Sequence, residues 1–290
     1  MSKYLKLIRV KHWIKNLLVF LPVFFSGNIF LTEKSSLLVL AFFSFCFVSS
    51  IVYVVNDIKD IEKDRKHPVK KTRPLASGAI SKSQALIIVA LLTLAALASS
   101  VALCLLTDNP LAFFIPLIYL ALNIAYSLKL KQIPIIDVGI IVAGFVLRVV
   151  YGGIVSNIEA SKYLYLMIIF GASFLGFGKR RNEIIKNGVQ SRSVLEKYNK
   201  NFLDKNMYVS LGLTITAYLL WCTSTTNISN PGYPYLFWTV PILLIIVQLY
   251  SLDIERDSHG DPVDVITSDK LLLSLILLYA IIMVIIIYII

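Results

Sequence analysis

The sequence predicts an all-α membrane protein, and three observations support this fold class. Hydrophobic residues make up 57% of the 290 residues and charged residues only 16%, which is more apolar surface than a soluble domain of this length can bury. Charge-free stretches of about 20 residues, the length of a helix that crosses a bilayer, recur along the chain. The basic residues are concentrated in alternate stretches between them.

The longest charge-free stretches predict six transmembrane helices. Four of these stretches, at 35–56, 83–107, 109–128 and 271–290, each form one span. The stretch 206–252 is 47 residues long, about twice what one span requires. The turn-rich sequence TNISNPGYP divides it into two spans.

Three further spans bring the predicted total to nine. The segments 17–32 and 163–178 reach full length when the residues just before them lie at the membrane interface. The segment 134–155 is apolar apart from Asp137 and Arg148. The chain is therefore predicted to form a single polytopic membrane domain over its whole length.

Nine spans alternate the connecting segments between the two sides of the membrane, and the bases fall mainly on one side. Of the 28 Lys and Arg residues, 25 lie on the side of the N-terminus and only Lys34 and Lys162 on the other. The positive-inside rule then predicts an inner-membrane protein with a cytoplasmic N-terminus and an external C-terminus. The predicted cytoplasmic segments are an interfacial helix at about 3–15 and loops at about 57–82, 128–133, 179–205 and 251–270.

Composition also excludes several classes of function. The net charge of +11 follows from membrane topology, so it does not indicate binding to nucleic acid. Cys46, Cys104 and Cys222 lie in different predicted spans, so the sequence implies neither a disulfide framework nor a cysteine zinc site. The acidic loop 251–270 lacks the ligand spacing of an EF-hand and is predicted to be a solvated loop. The oligomeric state is left open, with a homo-oligomer among the options.

The segment NDIKDIEKDRKHPVKKTRPLASG begins at residue 56 and places acids between two apolar spans. If the second span continues into the cytoplasm as a helix, Asn56, Asp60 and Asp64 share one face and Asp57 flanks it. Mg²⁺ prefers such oxygen ligands, and it completes its shell with water and substrate phosphate. We predict these four residues as metal ligands, with Asp60 and Asp64 in the catalytic role.

Bases follow these acids directly. Arg65, Lys71 and Arg73 lie within the same segment and are predicted to bind substrate phosphates. Acids that hold a cation beside bases that hold anions are what a metal–pyrophosphate site requires. The alternative is a solvated loop of mixed charge, which this close succession of acids and bases argues against.

The pattern NDxxDxxxDRxHPxKxxRPxxSG resembles the first signature of the UbiA-type intramembrane prenyltransferase superfamily. The stretches RVKHWIKN, YSLKLK, DVGIIVAGFVLRVVYGG and GKRRNE are similar to the decaprenyl-phosphate phosphoribosyltransferase branch. The resemblance implies a UbiA-type helical bundle with an active-site cavity on the cytoplasmic side and Mg²⁺ as cofactor. It also implies transfer of 5-phosphoribose from phosphoribosyl pyrophosphate (PRPP) to a polyprenyl phosphate such as decaprenyl phosphate, with release of pyrophosphate.

The resemblance further implies that Asp137 takes part in a second acidic site and that Arg148 contacts substrate phosphate. A charge near the bilayer centre costs at least about 2–3 kcal/mol, so such residues usually face a polar interior. The two residues are eleven positions apart on one helix, too far to pair directly, so each requires another partner. A structural ion pair is the alternative role for either residue.

The remaining candidates for substrate binding lie at the cytoplasmic ends of predicted spans: Lys15, Tyr126, Lys129, Lys179, Arg180 and Tyr198. Interface anchoring is the alternative for Lys15. Complementing the helix dipole is the alternative for the two bases at 179 and 180. The role of Tyr198 rests on the resemblance alone.

Two other functions remain as alternatives at this point. A UbiA-type aromatic prenyltransferase would use the same Mg²⁺ site on a polyprenyl diphosphate, but it would also require an apolar acceptor pocket and a proton acceptor. The many bases directed at phosphate favour phosphoribosyl transfer. An anion transporter is disfavoured because the dense charge lies on one side of the membrane and the sequence contains no internal repeat.

Overall fold

The computed structural model describes residues 2–27, 29, 32–66, 70–188, 193–224, 232–255 and 262–290. Every regular element within these ranges is a helix, so the all-α fold class is confirmed for them. His67, most of the turn-rich sequence at 226–234 and the centre of the acidic loop at 251–270 lie outside the described residues.

The α-helices are numbered in chain order, and short 3₁₀ segments lie between several of them. The helices are α1 Lys3–Leu7, α2 Leu21–Phe25, α3 Thr32–Lys59, α4 Ile61–Arg65, α5 Lys82–Thr107, α6 Leu111–Leu128, α7 Ile136–Ser156, α8 Lys162–Asn187, α9 Lys200–Cys222, α10 Val240–Glu255, α11 Pro262–Ser268 and α12 Lys270–Tyr288. The longer 3₁₀ segments are Val10–Phe20 and Tyr233–Thr239.

Six helices in the described residues are long and apolar enough to cross a membrane. They match six of the predicted spans: most of α3, then α5, α6, α7, the region Pro234–Glu255 around α10, and α12. The other predicted spans correspond to residues 10–25 and to the long helices α8 and α9. The count of nine spans therefore stays a prediction.

The N-terminal region differs from the predicted interfacial helix followed by a span. Helix α1 ends at Leu7, and Arg9 adopts the left-handed conformation with φ of 54°. A 3₁₀ helix then runs from Val10 to Phe20 and passes into the short α2, which contains Pro22 in its first turn. The polypeptide path over 3–25 is thus built from three short helical pieces.

The chain divides into two compact units. Unit 1 comprises residues 1–130 and 147–159, and α3 packs there against α5, α6 and the N-terminal 3₁₀ helix. Its buried core contains Phe45, Tyr119 and Tyr151. Helix α7 contributes its residues 136–146 to unit 2 and the remainder to unit 1.

Unit 2 comprises residues 131–146 and 160–290. Its main packing is between α8 and α9, whose first turns are capped by the side chains of Ser161 and Asn199. Helices α10 and α12 also pack against each other. Phe174 and Met207 are among the buried residues of its core.

Helix α7 approaches the N-terminal 3₁₀ helix very closely at Gly152. A Cβ atom built on Gly152 would lie 1.9 Å from the backbone oxygen of Val19. This position therefore accepts only glycine unless the backbone moves. The contact fixes the 3₁₀ helix against the half of α7 that belongs to unit 1.

Candidate functional site

Two buried carboxylates, Asp57 and Asp64, form the centre of the charged region of unit 1. They are seven residues apart, which places them on one face of a helical path. Helix α3 ends at Lys59, and Asp60 precedes α4 as its N-terminal cap residue, with φ of −98° and ψ of 9°. The amides of Asp60 and Asp64 still donate to carbonyl groups four residues earlier, at 3.0 and 2.8 Å, so the path stays nearly helical across the break.

Two arginines bind this carboxylate pair. Nη1 of Arg73 lies 2.7 Å from Oδ2 of Asp64 and 3.1 Å from Oδ1 of Asp57. Nη2 of Arg9 lies 2.7 Å from the same Oδ1 atom of Asp57. The side chains of the two acids are only 4% and 5% exposed, and the contacts with the two guanidinium groups offset the cost of burying them.

The four predicted metal ligands lie in two different surroundings. Asp57 and Asp64 are buried and lie together at Arg73, whereas Asn56 and Asp60 are half-buried, and Asp60 lies at the break between α3 and α4. Among the described residues, no three acidic, histidine or cysteine side chains converge as metal ligands. Two carboxylates nevertheless fit Mg²⁺, which takes one or two from a protein and completes its shell with water and phosphate.

Arg9 is a site residue that the sequence-based prediction missed. Its guanidinium lies 4.6 Å from the ring centroid of Tyr53 as well as against Asp57. Leu7 is fully buried beside Leu75 of the charged segment, which holds the N-terminal region in place. Arg9 belongs to the quoted RVKHWIKN stretch, and a buried acid at position 57 requires a cation, so these two features were the available signals.

The other predicted bases of unit 1 lie nearer to the surface. Arg65 is exposed and pairs with Glu62 at 2.8 Å, and Lys71 is also exposed. Nζ of Lys59 donates to the carbonyl of Ser127 at 3.3 Å. This bond places the last turn of α6, with Tyr126 and Lys129, beside the last turn of α3.

Arg148 is buried in α7 within unit 1. Its Nε atom donates to Oδ1 of Asn16 at 2.7 Å, and Nη2 donates to the hydroxyl of Tyr119 at 3.1 Å. The guanidinium also stacks 5.1 Å from the ring centroid of Phe45. Arg148 therefore has a partner other than Asp137, as the spacing of the two residues required, and this partner is Asn16. The neighbouring Lys15, a predicted site residue, is half-buried.

Asp137 forms a second buried cluster, in unit 2. Nε of Arg180 lies 2.6 Å from its Oδ2, and the hydroxyl of Tyr198 donates to its Oδ1 at 2.7 Å. Arg180 continues the network through Nη1 to Glu183 at 2.7 Å. Asp137 is 0% and Arg180 1% exposed, so this cluster brings three predicted site residues together in an enclosed arrangement.

Tyr198 also forms a hydrogen bond to the backbone at Ile135, which has an unusual conformation. Its hydroxyl accepts a hydrogen bond from the amide of Ile135 at 2.5 Å. Ile135 has φ of 69°, which is an unusual conformation for a β-branched residue. Burial raises the pKa of Tyr198 to about 12, so at neutral pH the hydroxyl keeps the proton that it donates to Asp137.

The remaining bases at the end of the predicted sixth span lie within α8, which extends to Asn187. Lys179 is half-buried. Arg181, which is not among the predicted site residues, pairs through Nε with Asp204 of α9 at 2.5 Å. The pair connects α8 to α9, which indicates a structural role for Arg181.

Comparison with known proteins gives the family of the chain. The UbiA prenyltransferase family matches residues 19–276. The chain is 32% identical to a decaprenyl-phosphate phosphoribosyltransferase of Corynebacterium glutamicum, over 98% of this chain and 86% of that protein. It is 30% identical to a decaprenyl-phosphate phosphoribosyltransferase of Mycolicibacterium smegmatis, over 95% of this chain and 89% of that protein.

Solved structures give the same result for the fold. A UbiA homolog from Archaeoglobus fulgidus bound to GPP and Mg²⁺ superimposes with a TM-score of 0.68 and 21% sequence identity. The superposition covers 98% of this chain and 99% of the homolog. The family match, the near full-length relatives and the shared fold agree, and the chain belongs to the UbiA prenyltransferase family.

Proposed function

We propose that the protein transfers 5-phosphoribose from PRPP to a polyprenyl phosphate, such as decaprenyl phosphate, and releases pyrophosphate. One observation carries this proposal: two proteins named for this activity match 98% and 95% of the chain and 86% and 89% of their own length. The buried acids and their arginines in unit 1 support it, because they supply cation ligands and phosphate ligands side by side.

The acids at 57 and 64 would hold Mg²⁺, with Asn56 and Asp60 as further oxygen donors. When bound, Mg²⁺ supplies stabilisation of the negative charge that develops on the departing pyrophosphate. Relatives of the fold support a divalent cation, since the homolog from A. fulgidus is described with Mg²⁺ bound. Asp60 is half-buried at the helix break, so part of its side chain is accessible to solvent and would be available to the bound ion.

The bases would divide among the phosphate groups. Arg73 is close to the acid pair and would bind the pyrophosphate, while the exposed Arg65 and Lys71 would attract the anionic donor from solution. Lys129 and Lys179 are further candidates for the 5-phosphate or the lipid phosphate. Lys15 and Tyr126 complete the proposed set of contacts.

The enclosed cluster of unit 2 has a different proposed role. Asp137 is fully buried and both of its oxygens are bonded, which does not favour the direct substrate contact that the resemblance implied. We assign Asp137, Arg180 and Tyr198 to positioning. Arg148 is similarly enclosed by Asn16 and two aromatic rings, and positioning is its proposed role as well.

The nucleophile requires little help from the protein. A phosphate oxygen of the lipid is already anionic near neutral pH, so attack on C1 of the ribose needs no strong general base. Rate enhancement then comes from positioning of the two substrates and from electrostatic stabilisation of the leaving group. The proposed setting is one polytopic domain of nine spans with its active-site cavity on the cytoplasmic face of the cell membrane.

The test uses purified protein with decaprenyl phosphate, Mg²⁺ and PRPP labelled in the ribose. We expect a labelled phosphoribosyl lipid that is lost on addition of a chelator and in the Asp64→Asn variant. Glu62→Gln, which removes an exposed acid from the same short helix, serves as the matched control and should retain the product.

A second arm supplies labelled prenyl diphosphate with aromatic acids instead. Product from this arm alone would assign the protein to the aromatic prenyltransferases of the family. Uptake of labelled anion into vesicles without any covalent product would favour transport and contradict both enzymatic functions.

A further inference from the structure

The buried acid pair of unit 1 is already balanced by charge from the protein itself. Asp57 and Asp64 contribute two carboxylate groups, and Arg9 and Arg73, which contact them, contribute two guanidinium groups of opposite formal charge. The four side chains are therefore neutral as a group. The two acids are almost completely buried, so an excess of either sign at this position is unfavourable.

A bare Mg²⁺ ion would upset this balance. It would add two positive charges beside two guanidinium groups that lie about 3 Å from the same carboxylates. A Mg²⁺ ion that arrives with a diphosphate brings its own negative charge, and the enlarged group stays close to neutral. Electrostatics thus favours joint binding of metal and diphosphate over binding of the metal alone.

Of the two arginines, Arg73 is better placed to change partners. A single nitrogen, Nη1, contacts both carboxylates, so one rotation of the side chain frees the pair. Its side chain is 30% exposed, and the loop backbone is held independently by a bond from the amide of Ser77 to the carbonyl of Arg73. Arg9 binds Asp57, and its guanidinium is also stacked on the ring of Tyr53.

We propose that Arg73 is an internal counter-cation that occupies the Asp57–Asp64 pair and makes metal binding depend on a diphosphate. When the metal and the diphosphate bind together, the Arg73 guanidinium leaves the carboxylates and binds the diphosphate oxygens. Arg73 is thus a residue that sets the order of binding, in addition to its contact with substrate. This inference rests on the proposed function only in taking a diphosphate as the ligand.

The test measures binding without any reaction. Mn²⁺ binding to the detergent-solubilised protein is followed by electron paramagnetic resonance, and binding of labelled pyrophosphate is measured separately at saturating Mn²⁺. We expect Arg73→Gln to bind Mn²⁺ alone about tenfold more tightly than the wild type, because one nearby positive charge is removed. The same variant should bind pyrophosphate about tenfold more weakly, because it lacks the guanidinium.

Lys63→Gln is the matched control, since it removes one positive charge from the exposed surface of α4 and should leave both affinities unchanged. Arg73→Lys keeps the charge but not the bridging geometry, and it should shift both affinities in the same directions by less. This variant retains the test if the glutamine variant does not fold.

Opposite changes in the two affinities would support the proposal, because a general loss of structure lowers both. Equal affinity of wild type and Arg73→Gln for Mn²⁺ alone, or loss of both ligands in the variants, would overturn it. Pyrophosphate is a product of phosphoribosyl transfer and of prenyl transfer alike. The binding result is therefore independent of whether PRPP proves to be the donor.

Discussion

At the scale of single residues, the two charges of α7 are each accommodated separately. Asp137 is bonded to Arg180 and Tyr198, and Arg148 to Asn16 and a tyrosine hydroxyl. A buried ion pair gains little stability over apolar residues of the same shape, but removal of one partner leaves an uncompensated charge. Both sites should therefore tolerate paired changes better than single ones.

The first prediction concerns the pair of Asp137 and Arg180. Asp137→Ala should destabilise the protein by about 3–5 kcal/mol, because it leaves the Arg180 guanidinium buried without its carboxylate. The double variant Asp137→Leu with Arg180→Met should be more stable than this single variant. Thermal unfolding in detergent of both single variants and the double variant measures the coupling, and additive losses would contradict the buried pair.

The second prediction concerns Tyr198. Tyr198→Phe should cost about 1–3 kcal/mol at neutral pH, because Ile135 N–H and Asp137 lose a buried hydrogen-bond partner. The folded pKa is raised from 10.0 to about 12, so the contribution of the hydroxyl is fully present below pH 10 and declines as pH rises towards 12. Unfolding midpoints of wild type and variant should therefore differ most between pH 7 and 9 and converge in alkali.

Residue spacing in the sequence predicts some of the contacts in the candidate site. Positions 57 and 64 are seven apart, so their shared face could have been read from the sequence in place of the face of Asn56 and Asp60. The contact between Arg9 and Asp57 could not, because 48 residues separate them and the left-handed turn at Arg9 brings them together. Burial of Asp137 is equally a property of tertiary packing.

At the scale of elements, the close contact of α7 with the 3₁₀ helix gives a third prediction. Gly152→Ala should destabilise the protein by at least about 3 kcal/mol, because the new Cβ meets backbone instead of a flexible side chain. Gly139→Ala in the same helix is the control, since its Cβ meets no atom within 4 Å. The control should be neutral or slightly stabilising, and similar unfolding midpoints for the two variants would contradict the close contact.

The long apolar helices were predictable because hydrophobic length alone specifies them. Six predicted spans are helices in the structure at nearly the predicted positions. The structure of residues 10–25 was not predictable in this way, because hydrophobic length does not distinguish an α-helix from a 3₁₀ helix. Helix α8 also continues beyond the predicted end of its span at residue 178, as far as Asn187. Its charged residues bond to each other and to α9, so they are accommodated within the helix.

At the scale of the whole molecule, membrane orientation is the fourth prediction. Alkaline phosphatase fused after Ile290 should be active in cells and green fluorescent protein at the same position dark, because the positive-inside rule places this end outside. The reporters fused within the loop at 128–133 should give the opposite result. Activity of alkaline phosphatase at both positions would contradict the odd number of spans, five, that is predicted between this loop and Ile290.

The sequence predicts one membrane domain, which stays a prediction, and the contacts within the chain form two compact units. Patterns of hydrophobicity cannot reveal this division, because it crosses the continuous helix α7. The charged clusters at Asp57 and at Asp137 were each recognised from sequence motifs, but their partners depend on which unit encloses them. Motif and composition thus identify the family and the charged positions, and packing determines their surroundings.

The bond between Asn16 and Arg148 has a consequence for biosynthesis. The two residues are 132 positions apart, so ribosomes that add about 5–20 residues per second produce them on the order of ten seconds apart. During that interval Asn16 is part of the nascent chain, but Arg148 has not yet been synthesised. The buried contacts of Arg148 within unit 1 can therefore form only after residues 147–159, the last part of this unit in the chain, have been synthesised.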